Sequence, residues 1–595
     1  MKVYCATNKQ DKGDINPIND YRGITPLSCL GKLFTSVINS RLYNYLTNEG
    51  ILGNEQAGFR PKHSTIDHIF ALQVLSSYYI SEKKQLFCAF VDYSKAFDFI
   101  DRTYLWQKLL NSNINGKVFN VIKSMYENAK SHISINNNLS EAFPCQVGVR
   151  QGENLSPLLF AIYLNDFESF LNERYDGLTK ISSSILNELN IYFKIFCLLY
   201  ADDTLVLAES ATQLQNALNG LHAYCNMWSL KVNIEKTKVV IFSRGKIRKY
   251  KTFKFGENSI DVVSDYVYLG TTFNYNGKFN KAKSKQVLQA RKATYSLLTK
   301  AKKLDLATDV FTELFERLVI PILLYGSEVW GYECSKQLEV MYNKVMRSFL
   351  KLHKTTPMCM VKGELDLKDI SEYIENRMLN FWYNVATGEE NKISSILYKW
   401  VKILYDQNSF KSPWLDKIKT TLDHLGMSYL FTSASSVDKD YFKKSIKLRL
   451  SDIHNQNWSD SVSSNSVCIN YRMMTEHKKL QSYLLKLPDQ YMFALCKLKC
   501  ANHKMPIVTG RYANIPAEDR ICNLCELHEK GDELHYLLKC PMFNDSRIKY
   551  IKPYYHVNPS AESLRKLFNE SSYKDLLNLS KFSYSLIQYF RKNQG

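Results

Sequence analysis

The sequence predicts an α+β fold, and three observations point to it. Strand-like and helix-like segments alternate up to about residue 275, residues from about 280 to 450 are mostly helical in pattern, and a cysteine/histidine cluster lies near the end. The 595 residues are 45% apolar and 23% charged, which suits several packed domains and excludes wholesale disorder. Lys and Arg outnumber Asp and Glu by 78 to 58, a net charge of +20. That surplus suits a protein that meets phosphate, although a Lys-rich composition alone produces the same number. The first residues lack the apolar core of a signal peptide, and the longest apolar stretches, such as 318–325, are too short to span a bilayer. A soluble, intracellular protein is expected, so the 14 cysteines read as thiols or metal ligands rather than disulfides.

The elements follow in chain order. Residues 32–46 carry Leu33, Val37, Leu42 and Leu46 at helical spacing, with Gly50 as a stop. Residues 86–91 are a short apolar run ending in Asp92, the pattern of a buried strand. Ser156 and Pro157 read as an N-cap and first-turn pair for a helix through Leu159, Ile162, Leu164 and Phe167. Apolar runs at 195–200 and 204–208 flank Ala201, Asp202 and Asp203, which predicts a tight hairpin. Residues 214–228 form an amphipathic helix and 239–242 a strand, an order that suits helices on one face of an antiparallel sheet. A helix over 281–304 would turn Val287, Ala290, Leu297, Leu298 and Leu304 inward and Lys281, Lys285, Lys292, Lys300 and Lys303 outward. The polar stretch 451–466 reads as a linker or long loop.

Asp202 and Asp203 sit side by side between two apolar strands. Adjacent buried carboxylates repel, and a hard cation with oxygen ligands compensates them. Asp92, at another strand end, completes a three-carboxylate site if the strands are neighbours. Two divalent ions on such a site serve in-line nucleotidyl transfer. An isolated Asp–Asp pair is more often a solvated turn, so the surroundings decide.

Those surroundings carry a resemblance. Tyr200-Ala201-Asp202-Asp203, the segment from Phe90 to Asp98, Gly148-Val149-Arg150-Gln151-Gly152 followed by Leu155 to Phe160, Asn233 to Thr237, and Tyr268-Leu269-Gly270 resemble the palm motifs of reverse transcriptases, in family order. Tyr21 to Thr25 and Gln56 to Arg60 resemble the fingers. Residues 321–331 and Phe381-Trp382 look like segments that follow the polymerase in non-LTR, LINE-type retrotransposon proteins. The resemblance implies a right-hand polymerase of fingers, palm and thumb, followed by a helical region and a small C-terminal zinc module. It implies RNA-directed DNA synthesis from dNTPs, with an RNA template, a DNA primer or target DNA, and two Mg2+ (or Mn2+) ions on Asp92, Asp202 and Asp203. Phe97 would exclude the 2′-hydroxyl of the incoming sugar. Gln151 and Gly152 would sit against the nascent pair, Lys236 near the triphosphate, and Arg22 and Arg60 on phosphate. Tyr268, Leu269 and Gly270 would grip the primer, and the lysines of 281–304 would track the duplex backbone. Asp98 reads as a cap or ion-pair partner rather than a metal ligand.

Near the C-terminus, Cys522, Cys525, His535 and Cys540 give C-x2-C-x9-H-x4-C, a spacing that suits tetrahedral zinc, with His528 as an alternative fourth ligand. Lys530, Lys539 and Arg547 nearby are candidates to meet phosphate. The expected organisation is fingers and palm over 1–275, thumb and helical extension over 276–390, a helical region of unassigned role over 391–470, and the zinc module over 471–595. The expectation includes an N-terminally truncated element without an endonuclease, working in the nucleus, the cytoplasm or both. A decayed or co-opted element that binds RNA without polymerising shares most of these features. Natural template and oligomeric state are not written in the sequence.

Overall fold

The computed structural model describes the chain apart from residues 1, 8–20, 26, 53–59, 61–62, 128, 136–137, 175–196, 201–202, 246–251, 334–335, 391, 571 and 594–595. Its residues form two units: Met1–Ala282 with Asn384–Leu415, and Lys283–Tyr383 with Asp416–Gly595. The architecture is α+β, as expected.

In the first unit the strands are β1 (Lys2–Thr7), β2 (Tyr21–Ile24), β3 (Leu86–Asp92), β4 (Lys130–Ile135), β5 (Asn138–Leu139), β6 (Phe143–Pro144), β7 (Cys197–Tyr200), β8 (Asp203–Ala208), β9 (Lys238–Phe242), β10 (Phe253–Phe255), β11 (Asn258–Val262), β12 (Asp265–Tyr268) and β13 (Thr271–Asn274). Six of them make one sheet in the order β10-β11-β9-β3-β8-β7, antiparallel except for β11 on β9. A second sheet runs β2-β1-β4-β5 with β6 on β4, and β12 and β13 form a hairpin.

β3 is central, and every residue from Leu86 to Val91 is buried. Side chains alternate along a strand, so a fully buried run needs cover on both faces. One face, with Phe87, Ala89, Val91, Val206 and Val239, joins a core with the helices Ser156–Leu164 and Ala211–Met227. The other face carries Phe90, stacked 4.4 Å from Tyr266 of β12, and is crossed by a helix, Thr65–Ser81. Helices therefore lie on both faces, not one. The uninterrupted apolar character of 86–91 is the reason.

The helix Thr65–Ser81 is itself covered by the segment 393–414: Tyr78 meets Trp400 at 4.7 Å and Phe70 meets Trp414 at 5.0 Å between ring centres. Buried Asp67 is compensated there by Lys392 at 2.9 Å and the Ser394 hydroxyl at 2.7 Å.

Three expectations about helices change. In α1 (Cys29–Asn48) Leu42 and Leu46 are buried, but Leu33 is 64% and Val37 45% exposed, because only the second half of the helix reaches the core. Ser156 is the first residue of the helix Ser156–Leu164 rather than its cap. Its hydroxyl donates to the Glu153 carboxylate at 3.1 Å, and the helix ends at Leu164, so Phe167 opens the next one, Phe167–Arg174. The stretch 451–466 is not a linker: it lies mostly within the helix Lys439–Ser464. Phe442, Ile446, Leu450, His454, Trp458 and Val462 are buried at every fourth position, a stripe one residue wide that polar neighbours hide in the sequence.

The second unit is helical. The helix Asn280–Leu304 buries Val287, Ala290 and Leu297, while Leu304, expected inward, is 66% exposed. Glu364 and Lys499 form a fully buried ion pair at 2.8 Å, satisfied further by the hydroxyls of Tyr471 at 3.0 Å and Tyr483 at 2.5 Å. Among the described residues no helix is long and apolar enough to cross a membrane.

Candidate active site

Asp92 is the last residue of β3 and Asp203 the first of β8, and the two are direct partners across the ladder. Asp92 and Phe90 share a face by the strand alternation, the face on which Tyr266 lies. Tyr200 pairs with Asp203, so β7 and β8 join through the two residues between them. This is the hairpin expected from the apolar runs. Asp202 itself lies outside the described residues. Burial, then the charges of Asp203 and Asp92, push the Tyr266 phenol up to about 12. A ring stacked on Phe90 and neutral beside two carboxylates is a site residue that the sequence reading missed. Its only signal was an aromatic two residues before Tyr268.

The segment 231–237 wraps the end of β3. The Ser94 amide donates to Lys231 at 2.8 Å and the Asn233 amide to the Asp92 carbonyl at 2.7 Å. The Asp92 amide donates to the Thr237 hydroxyl at 3.2 Å, and the Asn233 side chain accepts from the Lys236 amide at 3.2 Å. The Asp92 carbonyl is thus taken by a backbone bond. The same turn brings Lys236 Nζ to 3.9 Å from the Asp92 carboxylate, on a side chain that is 60% exposed.

A cavity of about 930 Å³ lies next to this edge, with Phe97, Asp98, Gln151 and Gly152 in its lining. Phe97 is half-buried and stacks on Phe160, ring centres 5.0 Å apart. The Gln151 amide donates to Asp98 at 3.1 Å, which orients it and gives Asp98 a positioning part. Backbone contacts set the loop: Val149 N donates to Phe97 O at 2.7 Å, and Thr25 N to Gln151 O at 2.9 Å. Gly148 has φ +81°, and a Cβ there would meet the Asp98 carbonyl at 2.6 Å, so only glycine fits. Arg150 is occupied with the Met125 carbonyl and Glu153, which makes it structural.

The backbone of Arg22 lies in β2, opposite Ala6, and Arg60 is half-buried. Tyr268 is 2% exposed, packed on Phe90 and within 3.4 Å of His68, so its ring is not presented to a ligand. The tip of the β12–β13 hairpin is Leu269–Gly270, both with positive φ (+45° and +78°). What this motif presents is that tight turn, held in a conformation that a leucine rarely adopts.

In the second unit Cys522, Cys525, His535 and Cys540 converge, one ligand atom from each lying within 4.8 Å of the others. Cys525 Sγ is 3.7 Å from Cys522 Sγ and 3.4 Å from His535 Nε2. A knuckle forms the first half, with Cys522 N donating to Glu529 O at 2.8 Å. The second half is a wide helical turn, His535–Lys539, in which Cys540 N returns to His535 O at 2.7 Å. His535 Nδ1 faces the Glu529 carboxylate at 3.3 Å, which leaves Nε2 for the cluster. His528 is exposed and outside the group. Arg547, expected to meet phosphate, is 3% exposed and donates to the carbonyls of Leu537 and Cys540 at 2.9 and 2.7 Å, so it braces the cluster instead. Lys539 is paired with Glu529 at 3.0 Å, and Lys530 is exposed.

Carboxylates on neighbouring strand ends, a glycine-bounded pocket beside them and a hairpin over the same face make up the candidate site. Residues 8–295, just under half of the chain, match the family described as reverse transcriptase (RNA-dependent DNA polymerase). It is 26% identical over 385 residues to the probable RNA-directed DNA polymerase from transposon BS of Drosophila melanogaster, covering 63% of this chain and 41% of that protein. It is 24% identical over 330 residues to the RNA-directed DNA polymerase from mobile element jockey of the same organism, covering 54% of this chain and 34% of that one. The chain thus spans less than half the length of these relatives. Apo telomerase from Candida tropicalis is similar at 11% identity and a TM-score of 0.33, over 72% of this chain and 69% of that one, too distant for any residue correspondence.

Proposed function

We propose that this chain is the RNA-directed DNA polymerase of a non-LTR retrotransposon, adding dNTPs to the 3′-hydroxyl of a DNA primer on an RNA template. The observation that carries the reading is the direct pairing of Asp92 with Asp203 at the edge of the pocket that holds Phe97 and Gln151. The donor set fits hard divalent cations: carboxylate oxygens on adjacent strands, with the mostly exposed Lys236 ammonium 3.9 Å away. Two Mg2+ or Mn2+ ions held by Asp92, Asp203 and the adjoining Asp202 would activate the primer hydroxyl and neutralise the triphosphate. Phe97, fixed by Phe160, closes the space a 2′-hydroxyl needs. Gln151, fixed by Asp98, and Gly152 border the nascent pair. Lys236 adds positive charge on the triphosphate side, and the Leu269–Gly270 turn supports the primer end. Arg22, Arg60 and the lysines of Asn280–Leu304 supply phosphate contacts.

The cysteine/histidine group fits zinc. Tetrahedral bonds of about 2.3 Å put ligand atoms about 3.8 Å apart, and the spacings above are of that size. We assign one structural zinc to Cys522, Cys525, His535 and Cys540, in a module that engages RNA or target DNA. Such work requires access to host RNA and chromosomal DNA, hence the nucleus and cytoplasm. A co-opted, inactive element is the competing reading. Primer extension by the full chain on poly(rA)/oligo(dT) with Mg2+ separates them: processive dTTP incorporation is expected, and none by a folded, primer-binding protein refutes the assignment.

A further inference from the structure

The cavity beside the palm has a second wall. Besides Phe97 and Gln151 it is lined by Ser36, Asn39, Ser40, Tyr43 and Asn44 of α1, while Asp92 and Asp203 are not in its lining. These α1 residues fall at positions i, i+3, i+4, i+7 and i+8, one face of the helix. Among the described residues none of them makes a side-chain hydrogen bond, although each carries donors and acceptors. On the polymerase reading, a nucleotide would have its phosphates at the carboxylates and its sugar at Phe97. The space running on from Phe97 to α1 then belongs to what comes next, the base and the templating nucleotide opposite. Apart from the Tyr43 ring these α1 groups are small, and all of them are uncharged. Uncharged amides and hydroxyls do not discriminate phosphate, which both strands carry, but they match a ribose hydroxyl, which donates and accepts.

Building on the polymerase reading, we propose that the polar face of α1 (Asn39, Ser40 and Asn44) reads the ribose 2′-hydroxyl of the templating nucleotide, so that this helix favours RNA over DNA as template. Phe97 and α1 would then face the two strands of one nascent pair with opposite preferences, one excluding a 2′-hydroxyl and the other binding it.

The test uses the full chain, a DNA primer, and three templates of one sequence: all RNA, all DNA, and RNA with a single 2′-deoxynucleotide at the templating position. The triple variant N39A/S40A/N44A should fold normally, since the positions are half-buried or exposed and alanine is the best helix former; thermal melting checks this. Wild type should extend faster on RNA than on the singly substituted template. The variant should lose that difference, with the RNA-to-DNA ratio of kcat/KM falling on the order of tenfold and the DNA-template rate little changed. An unchanged ratio in the folded variant, or an equal loss on both templates, overturns the proposal while leaving the polymerase assignment standing. Absence of extension by wild type on every template overturns both.

Discussion

The two candidate metal sites are built in opposite ways. The carboxylates come from distant stretches of chain, brought together by β3 pairing with β8 in a sheet whose register is fixed along six residue pairs. The cysteine/histidine site lies within residues 522–540 and is shaped by one knuckle and one helical turn. Removing a ligand should therefore have different consequences. At the palm the sheet stays and only charge placement is lost, whereas in the cluster the ligands are themselves the local fold. An edge open to substrate suits catalysis, and a closed tetrahedral set suits structure.

The largest effect is expected at the carboxylates. Asp203→Asn and Asp92→Asn should each lower dNTP addition by on the order of 10³-fold or more, while gel retention of template-primer stays near wild type and the melting temperature is unchanged. Normal polymerisation by either variant would remove the basis of the contrast, because the paired strand ends would then not be the chemical centre.

The cluster should behave inversely. Metal analysis of the full chain is expected to find one zinc, lost in Cys525→Ser. That variant should be destabilised by about 4 kcal/mol, the class of loss that follows removal of a structural metal, yet extend a simple primer normally. The cluster does not stand alone: Tyr536 packs 4.7 Å from Phe590 of the helix Tyr573–Lys592, and Leu537 and Leu538 are buried. Chelation should thus loosen this region without unfolding the rest of the second unit. A protein free of zinc and equally stable in chelator would show that the four residues are ordinary buried thiols and an imidazole.

The same difference explains what could be read from the chain beforehand. The ligand spacing of the cluster is local, so 522–540 announces itself, and only the choice between His528 and His535 needed coordinates. The hairpin before Asp203 and the strand before Asp92 were legible because apolar runs end at charged residues. Their direct pairing was not, since register depends on the whole sheet. Side-chain direction was the weakest link. Tyr268 points into the core, Arg547 spends its donors on backbone carbonyls, and Leu33 and Val37 point outward, because helical or strand periodicity says which residues share a face but not whether that face is covered. The helix Lys439–Ser464 escaped notice for a related reason: one apolar residue per turn among serines, asparagines and aspartates reads as a polar loop.

A smaller effect sharpens the palm side. Phe97→Ala should raise ribonucleotide relative to deoxynucleotide incorporation on the order of tenfold, as expected of a steric pocket wall. Because the ring also stacks on Phe160, about 3 kcal/mol of stability should be lost. Competition between dTTP and UTP, measured in a variant shown to be folded, separates the two roles. Destabilisation with an unchanged ratio would make Phe97 a packing residue only.

The smallest expected effect is at Lys236. Its ammonium is near enough to Asp92 to feel the site, but 60% exposure leaves it screened by solvent. A contact of that kind contributes about 1 kcal/mol at most, so Lys236→Ala should reduce kcat/KM for dNTP by roughly fivefold. The loss should sit in KM if the lysine attracts the triphosphate and in kcat if it donates a proton to pyrophosphate. It should also shrink as salt rises, because an exposed charge is screened over about 10 Å at 0.1 M. Lys236→Arg keeps the charge and should recover most of a KM effect but not a proton-transfer effect. If Lys236→Ala leaves both constants unchanged at low salt, the lysine is a surface partner of Asp92, and the turn 231–237 serves the site only through its backbone hold on the end of β3.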